Sequence, residues 1–240
     1  LSSPQRSDIG SNIRAGMEKL RRFQLSDGSF AYWPGRSETT DWNTSYAGHF
    51  MIAAKKAGFT VPADMLENWY HYQKRAALKV SVDELKGNPV RLKTHAYRLF
   101  TLALYGQPAY APMNVLHQSA IKGQIAEALL AGAYWISGKG DVARAIFKKL
   151  DQNVQNYREN DGSFGSGFRD EALMAQMLAL TSHKIEALRL LNKLLKMDKA
   201  GVYLNTQEMS FLFQAVAALY GGSLDQPIRF SYTFNGQAKS

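Results

Sequence analysis

The chain has 240 residues, no cysteine and a formal net charge of +9 at pH 7. Without cysteine, the sequence contains no disulfide, no zinc–thiolate site and no cysteine nucleophile. Its 45% hydrophobic and 20% charged residues are typical of a globular protein with a large core. Because the basic residues are spread along the chain and no nucleic-acid motif accompanies them, the charge favours solvated helix faces over a nucleic-acid partner.

Apolar residues spaced three and four apart predict a first helix from about Ser11, and Pro4 and Asp8 before it indicate a loop and a cap. A second helix is predicted over 44–57, with Thr40 or Asp41 as its cap. The remaining helices are predicted from Pro62 and over 92–105, 113–119, 123–137, 140–156, 169–181, 183–197 and 205–220.

Tight turns separate the predicted helices at intervals that suit a two-helix unit. These turns fall at Gly58, Gly106, Gly138, Ser182 and Gly221. The helix before a turn is more apolar than the helix after it, as expected if the first is buried on all sides and the second covers it. The pattern favours an all-α ring or solenoid of hairpins with two helix layers over an irregular helical bundle.

The end of the chain has a different pattern. Residues 228–235 alternate apolar and polar side chains, and Asn235-Gly236 is a turn signal. This predicts one β-strand without a local partner, which we assign to a neighbouring β domain. The predicted domains are therefore 1–225, which is helical, and 226–240, a linker and the start of the β domain.

Motifs for chemistry are scarce in the sequence. The five histidines lack metal-ligand spacing, and no G-x-S-x-G, P-loop or Rossmann pattern occurs. The acidic pair Asp83 and Glu84 falls in a predicted loop without a partner, and Asp170 and Glu171 begin a predicted helix, where carboxylates suit the helix dipole. We therefore predict no metal, no cofactor and no catalytic residue.

Two features indicate how hairpins contact one another. The turn Asp27-Gly-Ser-Phe30 repeats at Asp161-Gly-Ser-Phe164, which predicts a staple between successive hairpins, or else a pair of ordinary Asp-Gly turns. Trp42, Tyr46, His49 and Phe50 share one face of a predicted helix. Core packing is the favoured interpretation of this stripe, and the lining of a pocket at one mouth of the ring is the other.

Three runs, Asp27–Gly35, Asp41–Phe50 and Ala53–Pro62, resemble the thioester domain of bacterial alpha-2-macroglobulins. Residues 205–219, with their Thr-Gln start, resemble that domain's last helix, so the resemblance spans most of the chain. It implies an α/α toroid of about six helical hairpins. Terpene cyclases and prenyltransferase subunits share this ring, so the fold alone names no function.

In the resembled family, a Cys-x-Glu-Gln motif forms an internal thioester that acylates a protease after the protease cleaves a bait region. This chain has no cysteine, and residues 81–89 lack the histidine that assists acyl transfer in some relatives. The motif either precedes residue 1 or is missing from the parent protein, and both alternatives stay open. The resemblance implies a non-enzymatic domain of a protease inhibitor in the bacterial periplasm or cell envelope.

The resemblance also implies partners, and the aromatic stripe suggests a candidate binding surface. The partners are other domains of the same polypeptide and target proteases. No direct insertion into a membrane is expected, because the longest apolar stretch, Ala126–Ile136, is too short to cross a bilayer. The candidate binding residues are Trp33, Trp42, Tyr46, His49 and Gln207.

Two other function classes remain open at this point. A toroid enzyme of the terpene-cyclase or polysaccharide-processing type would need a general acid, and an acidic cluster in the ring would support it. A helical module for protein binding would present exposed aromatic side chains on a concave surface.

Overall fold

The computed structural model describes residues 3–159, 163–199, 203–221, 232–234 and 237–239. These residues form eleven α-helices and two short β-strands. The helices are α1 (Ser3–Arg21), α2 (Asp41–Lys56), α3 (Ala63–Lys79), α4 (Val82–Leu85), α5 (Pro89–Leu104), α6 (Tyr110–Gln118), α7 (Gln124–Ile136), α8 (Gly140–Phe147), α9 (Gly167–Leu180), α10 (Lys184–Lys199) and α11 (Thr206–Tyr220). The strands are β1 (Tyr232–Phe234) and β2 (Gln237–Lys239).

The helices alternate between two layers. Outer helices alternate along the chain with inner helices: α1 precedes α2, α3 and the short α4 precede α5, and α6, α8 and α10 precede α7, α9 and α11. In α5 every residue from Leu92 to Ala103 is buried, and in α9 every residue from Gly167 to Ala179 is buried. Helices that are buried all round belong inside a second layer. The fold is an all-α toroid of helical hairpins, as the sequence predicted.

The structure shows how the two ends of α2 are capped. The Thr40 side chain accepts a hydrogen bond from the Asn43 backbone N–H, so Thr40, and not Asp41, is the N-cap. At the other end Gly58 has a φ of +86°, a conformation that glycine adopts at little cost. Its N–H donates to the Lys55 carbonyl and helps to close the last turn.

Three predicted segments differ from the structure. The loop predicted at Pro4 and Asp8 is wrong, because α1 begins at Ser3 and proline fits a first turn, where its missing N–H would have no helical partner. Residues 82–85, predicted as loop, form α4, with a reciprocal capping box between Ser81 and Glu84.

The third difference is the end of α8, which stops at Phe147 and not near residue 156. The chain beyond it runs extended and pairs with the segment that leads into α9. Glu159 N–H donates to the Gly165 carbonyl at 2.7 Å, and Gly167 N–H donates to the Tyr157 carbonyl at 2.9 Å. Within the segment that was predicted as helix, the Asp151 and Asn153 carbonyls accept hydrogen bonds from the Gln124 side chain of α7, at 2.8 and 3.1 Å. These tertiary bonds override the local preference for helix.

Neighbouring helices, within the inner layer as well as between the layers, approach closely at glycines. A Cβ atom on Gly48 of α2 would lie 2.0 Å from the Trp69 ring of α3. A Cβ atom on Gly132 of α7 would lie 2.4 Å from the Met177 sulfur of α9. The absence of a side chain at these two positions therefore sets the distance between neighbouring helices.

The strands β1 and β2 form an antiparallel pair in which Tyr232 lies opposite Lys239 and Phe234 lies opposite Gln237. The expectation of a single strand without a local partner is therefore wrong. The Asn235-Gly236 turn falls outside the described residues. Among the described helices, none combines the length and apolar composition that a bilayer-spanning segment needs.

Candidate functional site

The first turns of several inner helices meet at one end of the toroid. Trp42 of α2 donates a hydrogen bond from Nε1 to Oε1 of Gln207 in α11, at 3.0 Å. The Arg169 guanidinium of α9 lies 4.1 Å from the centre of the Trp42 ring. Lys93 of α5 donates to Asp170 of α9 at 3.0 Å. We call this part of the molecule the N-terminal end, since each contact lies near the start of its helix.

An aromatic cluster lies directly beneath these first turns. It consists of Trp42, Tyr46, Tyr97 and Phe211. The Trp42 and Tyr97 ring centres are 4.6 Å apart, and those of Tyr46 and Phe211 are 5.6 Å apart. Offset aromatic pairs of this kind add to the stability that burial alone provides. The cluster joins the first inner helix to the last one and so closes the ring through side chains.

The structure brings four of the five predicted binding residues together. Trp42, Tyr46 and Gln207 take part in the ring closure, and His49 joins them through Tyr97, whose hydroxyl lies 2.9 Å from Nδ1 of His49. Trp42 and His49 are buried. Trp33 lies apart on a turn and is 62% exposed.

Burial changes the acid–base behaviour of this cluster. Desolvation, with a smaller contribution from Lys56, lowers the pKa of His49 to about 4, so the imidazole is neutral at pH 7. Desolvation also raises the pKa of Tyr46, against a weaker opposing effect of a hydrogen bond with Ser210. Neutral, buried groups of this kind are suited to holding helices together.

Sequence reasoning missed a buried ionic cluster at the same end, which consists of Lys93, Tyr157, Arg169 and Asp170. Oδ2 of Asp170 accepts hydrogen bonds from Lys93 at 3.0 Å and from the Tyr157 hydroxyl at 2.6 Å. Its Oδ1 accepts from the Arg169 guanidinium at 2.9 Å. Burial, with the nearby Asp170 carboxylate, raises the pKa of Tyr157 far above its usual value. Both oxygens of Asp170 are therefore already bonded.

Two more carboxylates at the N-terminal end are bonded in a similar way. Glu208 accepts from the Ser166 hydroxyl at 2.6 Å, from Arg158 at 3.1 Å and from the Asn205 backbone N–H at 2.7 Å. Glu159 accepts from the Gly165 backbone N–H at 3.0 Å. Buried charges that are paired and hydrogen-bonded in this way are a stable arrangement.

A cleft of about 430 Å³ adjoins the ionic cluster. Lys93, Tyr157, Glu159 and Asp170 border it, and apolar side chains such as Val90 form its walls. The sequence signal for this site was the run Arg169–Glu171 inside an otherwise apolar helix. The sequence predicts Asp170 and Glu171 at the start of a helix, but they are the fourth and fifth residues of α9 and are buried.

The acidic pair Asp83 and Glu84, predicted to lie in a loop without a partner, also differs from its prediction. Glu84 is not without a partner, because it bonds to Ser81 and forms an ion pair with Arg91. Among the residues that the structure describes, no group of three or more histidine or acidic side chains is arranged to hold a metal ion.

The first Asp-Gly-Ser-Phe turn connects α1 to the next hairpin. The Asp27 carboxylate accepts from the Ser29 backbone N–H at 2.9 Å, and Gly28 has a φ of +96°. Gln24 donates to the Met65 carbonyl of α3 at 2.8 Å, while Phe30 N–H donates to the Thr44 hydroxyl of α2 at 3.1 Å. These bonds make this turn a staple. The second copy lies partly outside the described residues.

No family model matches the chain. In sequence, the chain is 27% identical over 225 residues to the Alpha-2-macroglobulin of Escherichia coli (strain K12), which covers 87% of this chain and 13% of that protein. It is 25% identical over 230 residues to the Alpha-2-macroglobulin of Xylella fastidiosa, which covers 86% of this chain and 13% of that protein. The chain thus spans a small part of the length of these relatives.

Solved structures of bacterial alpha-2-macroglobulins share the fold. The Escherichia coli structure from domain MG7 to the C-terminus has a TM-score of 0.75 at 22% identity and covers 94% of this chain and 36% of that one. The Salmonella protein reacted with methylamine has a TM-score of 0.77 at 21% identity, with coverages of 91% and 15%. Sequence similarity and fold together support this chain as a fragment of a bacterial alpha-2-macroglobulin-family protein.

Proposed function

We propose that the chain is a non-catalytic domain of a bacterial alpha-2-macroglobulin-like protease inhibitor that traps proteases in the periplasm or cell envelope. The observation that supports this most directly is the fold shared with Escherichia coli alpha-2-macroglobulin activated by porcine elastase. That structure covers 98% of this chain and 21% of that one, with a TM-score of 0.74 at 20% identity. The partners of the domain are the target protease and other domains of the same polypeptide.

The ring closure suggests how the domain contributes. The hydrogen bond between Trp42 and Gln207 and the ring contacts of Phe211 hold the first turns of α2 and α11 together. We assign to this closure the task of keeping the N-terminal end in one shape when the parent protein rearranges. Trp33, which is exposed on its turn, is the residue of the candidate set that is free to contact a neighbouring domain.

The test uses the full-length parent protein incubated with elastase or trypsin. We expect a protease–inhibitor complex on native gels, in which the protease still cleaves small substrates but loses activity on large ones. Trp42→Ala and Tyr46→Ala should each reduce the captured fraction, and Tyr110→Ala, on the outer helix α6, should leave it unchanged. Unfolding curves of each variant separate lost capture from lost folding.

Each outcome of this experiment is informative. Capture that is unchanged in both aromatic variants contradicts the role of the aromatic cluster, and a parent protein that captures neither protease contradicts the proposed function. Pretreatment with methylamine tests the thioester, because an amine that opens it removes the covalent part of capture.

A toroid enzyme is the second candidate, and the cleft beside Asp170 is the observation that favours it. Against this candidate, both Asp170 oxygens accept hydrogen bonds from Lys93, Tyr157 and Arg169, an arrangement that favours the ionised form of Asp170 over the protonated form that a general acid needs. We expect no turnover of polysaccharides or prenyl diphosphates by the purified chain. Turnover that disappears in Asp170→Asn would establish the enzyme.

A further inference from the structure

The outward side of the outer helix α10 differs from that of the other outer helices. Within the described part of the chain, α10 exposes three large apolar side chains, and each of the other outer helices exposes at most two. Ile185 is 83% exposed, Leu188 is 40% exposed and Leu195 is 39% exposed. The opposite side of α10 packs on α9 and α11 and is buried through Ala187, Leu190, Leu191 and Leu194. One apolar side therefore holds α10 on the toroid, and a second apolar row faces solvent.

Basic side chains lie among these exposed apolar residues. Lys184, Arg189 and Lys196 of α10 are all exposed. Residues three, four or seven positions apart share one face of a helix, so these basic residues lie beside the apolar row. We call the apolar row and the three basic residues together the α10 outer face.

The positive charge of the α10 outer face is not neutralised within the described residues. The one ion pair that α10 forms there joins Lys193 to Glu171, and neither residue belongs to the face. Arg189 donates a hydrogen bond to the side-chain oxygen of Gln152, which is a neutral group, at 3.2 Å. Glu186 is partly buried and lies on the flank of α10, in the groove beside residues 150–153. The face therefore attracts a partner of negative charge.

The mixture of lysine with isoleucine and leucine limits the class of partner. Lysine is depleted in the contact surfaces between proteins, and its ammonium group is strongly hydrated. At a membrane surface the ammonium groups remain in the hydrated headgroup layer, while apolar side chains between them enter the boundary with the acyl chains. An anionic lipid surface therefore fits the α10 outer face better than an acidic protein does.

We propose that the α10 outer face binds the surface of an anionic phospholipid bilayer. The basic side chains contact the lipid phosphates, and Ile185, Leu188 and Leu195 reach below the headgroups. The helix lies parallel to the membrane and does not cross it, because its buried side stays packed on α9 and α11. The face shares no residue with the N-terminal end, so this proposal is tested independently of protease capture.

The first experiment sediments the full chain with two kinds of vesicle. One kind contains phosphatidylglycerol and phosphatidylethanolamine, and the other contains phosphatidylcholine alone. We expect the chain to bind the anionic vesicles only, and raised salt concentration to release it because salt screens the charges. Equal binding to both kinds of vesicle, or binding to neither, would overturn the proposal.

Four variants locate the binding surface. Lys196→Gln should lower the partition coefficient on anionic vesicles about fivefold, whereas Lys74→Gln, which removes the same charge from the outer helix α3, should leave it within about twofold. Ile185→Ala should also lower it about fivefold, and Leu78→Ala, at an exposed apolar position of α3, should leave it unchanged. Equal losses at α10 and α3 would mean that the net charge of the whole chain causes binding, which contradicts the proposal.

A fluorescent label gives a second measure of the surface that touches lipid. Because the chain has no cysteine, Leu188→Cys can be labelled at one position with an environment-sensitive fluorophore. Its emission should move to shorter wavelength on anionic vesicles, and that of labelled Leu78→Cys should not. The same label tests an acidic polypeptide as partner: binding to poly-L-glutamate that is tighter than binding to the vesicles would overturn the proposal.

Discussion

At the scale of single residues, buried histidines couple the stability of the toroid to pH. His49 lies between α2 and α5, and its pKa is lowered from 6.5 to about 4. The unfolded chain therefore binds a proton that the folded chain rejects, over the range between these values. The contribution of neutral His49 to stability is present above pH 6.5 and is lost as the pH falls toward about 4.

We accordingly predict that the free energy of unfolding falls between about pH 6.5 and about pH 4, by up to about 3 kcal/mol for His49. Urea denaturation at a series of pH values measures this. His49→Leu should reduce the pH dependence to the part that remains from buried His95, whose pKa is also lowered to about 4, mainly by desolvation, while His71→Leu, at an exposed histidine, should leave it unchanged. A wild-type profile that is flat over this range would show that His49 titrates normally.

The ring closure gives a second prediction at this scale. Trp42→Phe removes the hydrogen bond to Gln207 and weakens the stacking with Arg169, so we expect it to lower the free energy of unfolding by about 1–2 kcal/mol. Gln207→Leu should cost about 1 kcal/mol. The double variant should cost less than the sum of the two, because both remove the same bond. Additive losses would show that the two side chains do not interact.

At the scale of helices, most of the fold was predictable because it depends on local signals. The periodicity of the inner helices, and the glycines that follow all of them except α9, specify helices before any tertiary contact forms. The cap at Thr40 was equally local. The end of α8 was not, because the segment after it is held by hydrogen bonds from the Gln124 side chain, which lies on α7.

The candidate site was likewise predictable where it depends on one helix and not where it depends on tertiary contacts. The stripe of Trp42, Tyr46 and His49 was visible because its residues lie on one helix. The ionic cluster was not, because Lys93, Tyr157 and Asp170 come from three separate segments that only the ring brings together. Single-sequence periodicity contains no information about such pairings.

Helix packing gives a third prediction. Gly48→Ala places a methyl group 2.0 Å from the Trp69 ring, so we expect it to lower the free energy of unfolding by about 1–3 kcal/mol or more. Gly16→Ala is the matched control on α1, where the nearest atom, on Phe50, would lie 3.8 Å away. It should raise stability by about 0.5–1 kcal/mol. Chemical denaturation of both variants measures the contrast, and equal effects would contradict the packing argument.

At the scale of the whole molecule, the two-layer order followed from the alternation of apolar and amphipathic helices, but the manner of closure did not. Nothing in the sequence showed that Trp42 would meet Gln207. The proposed domain boundary belongs to this scale as well. We propose that residues 1–225 are one folding unit and that 226–240 lead into a β domain.

This boundary predicts the effect of two truncations. A chain that ends at Asp225 should unfold at the same denaturant concentration as the full chain, within error, because it keeps all eleven of the described helices. A chain that ends at Lys199 lacks α11. It should lose cooperative unfolding, because Trp42 and Tyr46 of α2 then no longer pack against Phe211. Circular dichroism during denaturation separates these outcomes, and a large loss of stability in the first truncation would contradict the boundary.

The bond between Trp42 and Gln207 also has a consequence for biosynthesis, because its two residues are separated by 165 positions. A ribosome adds about 5–20 residues per second, so α2 emerges roughly ten to thirty seconds before α11. During that interval Trp42 and Tyr46 of α2 cannot pack against Phe211 of α11. We expect chaperones to hold this nascent stretch, and the last helix to release it on arrival.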